Sequence, residues 1–93
     1  MPVAQARHIL VSSAEQANDI KQQIADGADF AEMAKAHSSC PSSRNGGDLG
    51  QFGPGQMVPE FDAVIWKESV GDVHGPVKTA FGYHLIEITN RTD

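Results

Sequence analysis

The run GYHLIEI, residues 82–88, is an aliphatic β-strand interrupted by an imidazole, and ARHILV, residues 6–11, is another of the same kind. Along a strand, successive side chains point to opposite faces. In the later run Tyr83, Leu85 and Glu87 therefore oppose His84, Ile86 and Ile88. In the earlier one, residues 5–11, His8 shares a face with Ala6 and Leu10, and apolar residues occupy both faces. A strand that is apolar on both sides is expected in the middle of a sheet. Each histidine has aliphatic residues behind it, and if the two strands are neighbours in the sheet both rings could share a face. One ring nitrogen then donates to the other, which satisfies both where water is scarce. A single histidine in an apolar strand is more often a hydrogen-bonded core residue than a catalyst. Two of them point to a shared polar network.

Between the two strands the chain carries helix and turn signals. SSAEQANDIKQQIADG, residues 12–27, has Ser13 followed three residues later by Gln16, a capping-box pattern. Ala17, Ile20 and Ile24 form one stripe, and Gly27 suits the C-terminal stop. Asp29 with Glu32 caps a second, shorter helix with an apolar face of Phe30, Met33, Ala34 and His37. Residues 38–55, SSCPSSRNGGDLGQFGPG, are rich in Ser, Gly and Pro and predict a long loop with a strand only around residues 49–52. Pro59 at a first helical position opens a third helix with Phe61, Val64 and Ile65 inward. VGDVHGPV, residues 70–77, reads as a turn and a short edge segment. The order is strand, helices, strand, helix, strand, strand. It predicts a small α+β domain, a mostly antiparallel sheet with helices packed around it.

A chain of 93 residues accommodates one domain, expected over residues 1–93. With 40% hydrophobic and 20% charged residues it is too apolar for disorder. The net charge of −5, without any Lys/Arg run, excludes nucleic acid and anionic membrane as expected partners. One cysteine, Cys40, forbids an internal disulfide and suits a reducing compartment. No apolar run approaches the ~20 residues of a membrane span. The opening MPVAQARH lacks a secretory pattern, so the expected location is cytoplasmic and the expected state a monomer.

Other chemistry is weaker. Cys40 lies in the polar stretch HSSCPSS, residues 37–43, where a thiol beside a histidine would be activated as a nucleophile. His8, His37, Cys40, His74 and His84 are possible metal ligands, yet only His37 and Cys40 have short ligand spacing, so no metal and no cofactor is expected. GGDLGQFGPGQ, residues 46–56, lacks the lysine of a phosphate loop. Gly46, Gly47 and Gly53 read instead as turns requiring positive backbone dihedrals.

Taken together, ARHILV, DFAEMAKAHSSCPSS (residues 29–43), GGDLGQFGPGQMVPEFDAVIW (46–66) and GPVKTAFGYHLIEI (75–88) resemble the parvulin peptidyl-prolyl cis/trans isomerases in order and spacing. The resemblance runs over residues 8–88 and is to the small, stand-alone bacterial type. It implies a four-stranded antiparallel sheet ringed by four helices, akin to the FKBP fold, the fourth helix being a short turn near residues 40–44. It implies that His8 and His84 form a bonded pair at the floor of an active site, with Cys40 beside them. It implies further that Leu49, Met57 and Phe61 wall a pocket for the proline ring, and that Gln56, Thr79 and Phe81 lie at its rim or in its support.

The implied activity is rotation of X–Pro bonds in unfolded or flexible polypeptides, as an aid to protein folding. Phosphate-directed parvulins carry a basic loop after the first strand. Here that link is VSSAEQ, residues 11–16, with no cation, so phosphorylated substrates are not expected. Two other readings compete: a Cys–His hydrolase built on Cys40, and a non-catalytic module or chaperone that binds proline peptides.

Overall fold

The structure, a computed structural model, describes residues 2–39 and 41–92; Met1, Cys40 and Asp93 lie outside the described residues. Its elements follow one another as β1 (Val3–Val11), α1 (Ala14–Ala25), α2 (Phe30–His37), a 3-10 turn (Pro41–Asn45), β2 (Asp48–Phe52), α3 (Pro59–Lys67), β3 (Val73–Thr79) and β4 (Gly82–Thr92). The four strands form one antiparallel sheet in the order β2-β1-β4-β3. The chain termini thus supply the two central strands, as the two-faced apolar pattern of residues 5–11 requires. Of the four helices that the resemblance implies, three are α-helices among the described residues, and the fourth, expected as a short turn near residues 40–44, is the 3-10 turn.

Local signals account for the helix ends. Ser13 Oγ accepts from Gln16 N at 3.2 Å at the start of α1, and Asp29 Oδ2 accepts from Glu32 N at 3.1 Å at the start of α2. Each bond satisfies one of the N–H groups that a helix start leaves without a partner. Pro59 begins α3, where its missing N–H costs nothing. The other end of α3 is closed from outside the helix. Arg91 Nη1 on β4 donates to Ile65 O at 2.8 Å and to Glu68 O at 2.6 Å. His37, placed by its spacing on the apolar face of α2, is exposed.

The sheet separates two apolar clusters. On one side Ile9, Val11 and Leu85 pack with Ala17 and Ile20 of α1 and Phe30 and Ala34 of α2. On the other, Ala4, Ala6, Ile86 and Ile88 pack with Phe52 and with Phe61 and Ile65 of α3. Each fully buried Ile or Leu contributes roughly 1.5–3 kcal/mol, which is why a strand apolar on both faces belongs in the centre.

Strict two-residue alternation fails at three places. The β1–β4 ladder pairs Ala6 with Ile88 but Gln5 with Asn90, so Thr89 is an extra residue. On β2, Gln51 pairs with Gln5 and Asp48 with Arg7, three steps against two. On β3, His74 pairs with Ile86 and Val77 with His84, again three against two. These are β-bulges, and each reverses the faces of the residues beyond it. The Gly75–Pro76 peptide within the third is cis. Strand β3 is a full seven residues, longer than the short edge segment expected from VGDVHGPV.

Candidate active site

The β1–β4 register decides how the histidines meet. His8 pairs with Ile86 and Leu10 with His84, so the two histidines are diagonal neighbours on the α3 side of the sheet. Diagonal side chains lie within mutual reach when they are long or aromatic. The rings are stacked, with centroids 5.2 Å apart and 15° between their planes, and Nδ1 of His8 lies 3.0 Å from Nδ1 of His84. Both are buried, at 6% and 5% exposure. Phe61 of α3 presents its ring edge-on to both, 5.7 Å from His8 and 5.8 Å from His84.

A hydroxyl sets the direction of the network. Thr79 Oγ1 lies 2.8 Å from His84 Nε2 and accepts from Phe81 N at 3.2 Å. Thr79 is itself buried, so its proton needs an acceptor. His84 Nε2 is that acceptor. His84 then carries its proton on Nδ1 and donates it to His8 Nδ1, which leaves the His8 proton on Nε2; the tautomers are assigned from this pairing.

Both imidazoles are held neutral. Burial pushes the pKa of His8 down to about 4, helped by repulsion from His84, and burial also lowers that of His84. Two neutral rings joined by one proton suit a site that resists charge, and do not suit one that passes protons at neutral pH.

Over the rings lies an open-topped cavity of about 350 Å³. Leu49, Met57, Phe61 and Phe81 line it together with His8 and His84; Leu10, Ser39 and Val58 complete it. No Lys or Arg is among these residues. Phe81 stands at the β3–β4 turn with 70% of its surface exposed, a large apolar ring facing solvent at the cavity mouth. Leu49 reaches the cavity because of the β2 bulge. In an unbroken ladder it would pair with Arg7 and face α1 and α2.

Three hydrogen bonds, two of them between backbone groups, tie loop segments to β1 beside the site. Ser38 Oγ accepts from Leu10 N at 3.0 Å, Ser39 N donates to Leu10 O at 2.8 Å, and His8 N donates to Gly47 O at 3.0 Å. The 38–55 stretch that reads as a loop is therefore pinned along the strand that carries His8.

Some sequence expectations need correcting. Gln56 is exposed and outside the cavity lining; its Oε1 accepts from Gly53 N at 2.7 Å, which holds the turn before α3. Thr79 is not one of these, since its hydroxyl holds His84 from behind and so stands in the support of the pocket rather than in its lining. Gly46 and Gly47 have positive φ, as do Gly50 and Gly55, whereas Gly53 does not. The role given to Cys40 lies outside the described residues. Among the described residues no group of three or more His, Cys, Asp or Glu is placed to hold a metal ion.

Sequence reasoning passed over Leu10, Ser39 and Val58. Leu10 was within reach, since it lies two residues from His8 on the same face. Nothing in the spacing points to Ser39, which arrives by pairing with β1.

Residues 7–90 match the family described as Rotamase, PPIC-type PPIASE domain. The chain is 48% identical over 93 residues to Foldase protein PrsA of Geobacillus sp. strain WCH70, covering 99% of this chain and 34% of that protein. It superposes on the crystal structure of peptidylprolyl isomerase PrsA from Bacillus anthracis with a TM-score of 0.95 at 42% identity, covering 99% of this chain and 43% of that one. It also superposes on NmPin, the parvuline of Nitrosopumilus maritimus, with a TM-score of 0.87 at 35% identity, covering 97% and 98%. The chain spans about a third of the length of the curated relatives it matches. It belongs to the PPIC-type peptidyl-prolyl isomerase family, the parvulins.

Proposed function

We propose that this member of the parvulin family accelerates cis/trans rotation of X–Pro bonds in flexible polypeptides, without a covalent intermediate and without a requirement for phosphate. The observation that carries the proposal is the apolar cavity resting on two neutral, mutually bonded imidazoles.

The barrier to X–Pro rotation, roughly 18–20 kcal/mol, comes from amide resonance. In the twisted transition state that resonance is lost, and with it the charge separation that water stabilises. A pocket that grips the proline ring and excludes water therefore disfavours the planar ground state more than the twisted one. Each ~1.4 kcal/mol gained this way is about tenfold in rate. Met57, Phe61 and Leu49 supply the grip. His8 and His84 supply a floor that is polar yet uncharged. Rotation moves no proton, and their lowered pKa values accord with positioning rather than acid–base transfer. We assign Cys40, which follows the cavity residue Ser39 in sequence, to a partial negative charge that disfavours the planar amide dipole. Retained activity in Cys40→Asp would support this role, and loss in both Cys40→Asp and Cys40→Ser would overturn it.

The absence of Lys and Arg from the described lining supports substrates that carry no phosphate. The single cysteine supports the cytoplasmic placement expected from the sequence. One structural neighbour, however, belongs to a pair of SurA-like chaperones of which one is described as periplasmic, and cell fractionation distinguishes the two placements. Among the described residues no helix is long and apolar enough to cross a membrane. The whole chain is proposed to act as one domain and as a monomer.

The test is exchange NMR on an Ala–Pro peptide with the protein at catalytic levels. Line-broadening of the cis and trans signals is expected. Saturable binding without faster exchange would replace the enzyme with a binding module, and release of an acyl product would replace it with a hydrolase.

A further inference from the structure

Lys21 is on α1, across the sheet from the cavity, and the isomerisation proposed above does not use it. Its Nζ donates to Gly75 O at 2.7 Å. Gly75 lies in the β3 bulge, between His74, paired with Ile86, and Val77, paired with His84.

The bulge decides which face the end of β3 presents. Before it, Val73 packs into the cluster under α1 and α2. After it, Val77 packs into the opposite cluster under α3. In a ladder without the extra residue, Val77 would pair with Tyr83. Thr79 would then share the Tyr83 face and point away from His84. With the extra residue Thr79 pairs with Gly82, and its hydroxyl reaches His84 Nε2.

The same bulge also abuts His84 directly. A Cβ on Gly75 would lie 2.5 Å from the His84 carbonyl oxygen, and φ there is +121°, so only glycine fits. One short segment therefore touches His84 through its backbone and, by way of Thr79, through its ring. A bulge leaves backbone groups outside the ladder, and the donor that Gly75 O finds is a lysine from another element.

We propose that Lys21 is a positioning residue for the paired imidazoles, holding the β3 bulge in the phase that presents Thr79 to His84. Its effect on turnover rests on the isomerase assignment; its effect on the imidazole network does not.

The test compares the wild-type chain with Lys21→Met, which keeps the stem but removes the donor, and Lys21→Arg, which keeps a donor. Two readouts are used: ¹⁵N spectra of the His8 and His84 rings, and X–Pro exchange rates. A displacement of about 1 Å at a reacting group costs on the order of 10²-fold. A loosened support should cost less, so Lys21→Met is expected to lower kcat about tenfold with KM within about twofold. Its His84 ring nitrogens should shift toward the average of two tautomers, and Lys21→Arg should restore both readouts. An unchanged ring spectrum overturns the proposal, even where kcat falls, since that marks a merely structural role. A shifted spectrum in a protein without turnover on any peptide upholds the positioning role and removes the isomerase assignment instead. If Lys21→Met fails to fold, Lys21→Ala, which also removes the donor and favours the helix, takes its place under the same criteria.

Discussion

Gly47 packs its backbone against that of His8, and replacing it with alanine measures what that approach contributes. A Cβ at Gly47 would sit 2.3 Å from His8 O, against 3.4 Å for the near edge of ordinary contact, so strand and loop must separate by about 3.4 − 2.3 = 1.1 Å. Ala34 closes the other side at 3.3 Å and leaves no way around. Two costs add. A left-handed φ, +86° here, costs a non-glycine residue roughly 1–2 kcal/mol. Overpacking against an unyielding neighbour costs a further ~1–3 kcal/mol.

Gly27 isolates the first cost, because its φ is +113° and nothing lies within 4 Å of its missing Cβ. Urea unfolding of both variants should therefore show Gly27→Ala less stable than wild type by about 1–2 kcal/mol. Gly47→Ala should lose ~1–3 kcal/mol more than that. In exchange NMR at a temperature where both are folded, Gly47→Ala should lose more than about tenfold in kcat/KM, while Gly27→Ala keeps wild-type turnover. Equal destabilisation, or full activity in Gly47→Ala, would refute the claim that Gly47 sets the position of His8.

Three further outcomes follow from other parts of the structure. Thr79→Val should strand the buried His84 Nε2 and cost about 1–3 kcal/mol in urea unfolding, with Thr79→Ser recovering most of it; no loss would mean that the hydroxyl is not a partner of the ring. The folded-state pKa of His8, about 4, lies below its unfolded value near 6.5, so the unfolded chain takes up the proton first. Stability from this group is complete above pH 6.5 and falls by roughly 3 kcal/mol as the pH drops to 4. A His8→Asn variant should flatten that part of the stability profile, and turnover of the wild type should be level from pH 6.5 to 8. Removing the Arg91 guanidinium with Arg91→Met leaves Ile65 O and Glu68 O without that donor. It should cost about 1.5–3 kcal/mol with activity unaltered once folded, and an unchanged Tm would remove Arg91 as the cap of α3.

The elements of the fold were legible because their signals are local. Ser13 and Asp29 accept the bonds their positions announce, Pro59 opens α3, and the two-faced apolar run at residues 5–11 lies in the centre of the sheet. Even the nearness of His8 and His84 was open to inference, since period-two alternation assigns each ring to a face from spacing alone. Gln56, to which the resemblance gives a place at the rim of the pocket or in its support, lies outside the cavity lining and turns its side chain to the backbone N–H of Gly53, a contact that no spacing announces.

What residue order alone determines here is the set of strands and helices, the apolar character of each face and the family to which the chain belongs. Register lies beyond it, because a bulge is a one-residue event with no periodicity of its own, and one extra residue moves every later side chain to the other face. The bulges on β2 and β3 bring Leu49 into the cavity and Thr79 onto His84, and they are settled by contacts between distant segments, such as Lys21 with Gly75. Only the assembled sheet could decide them.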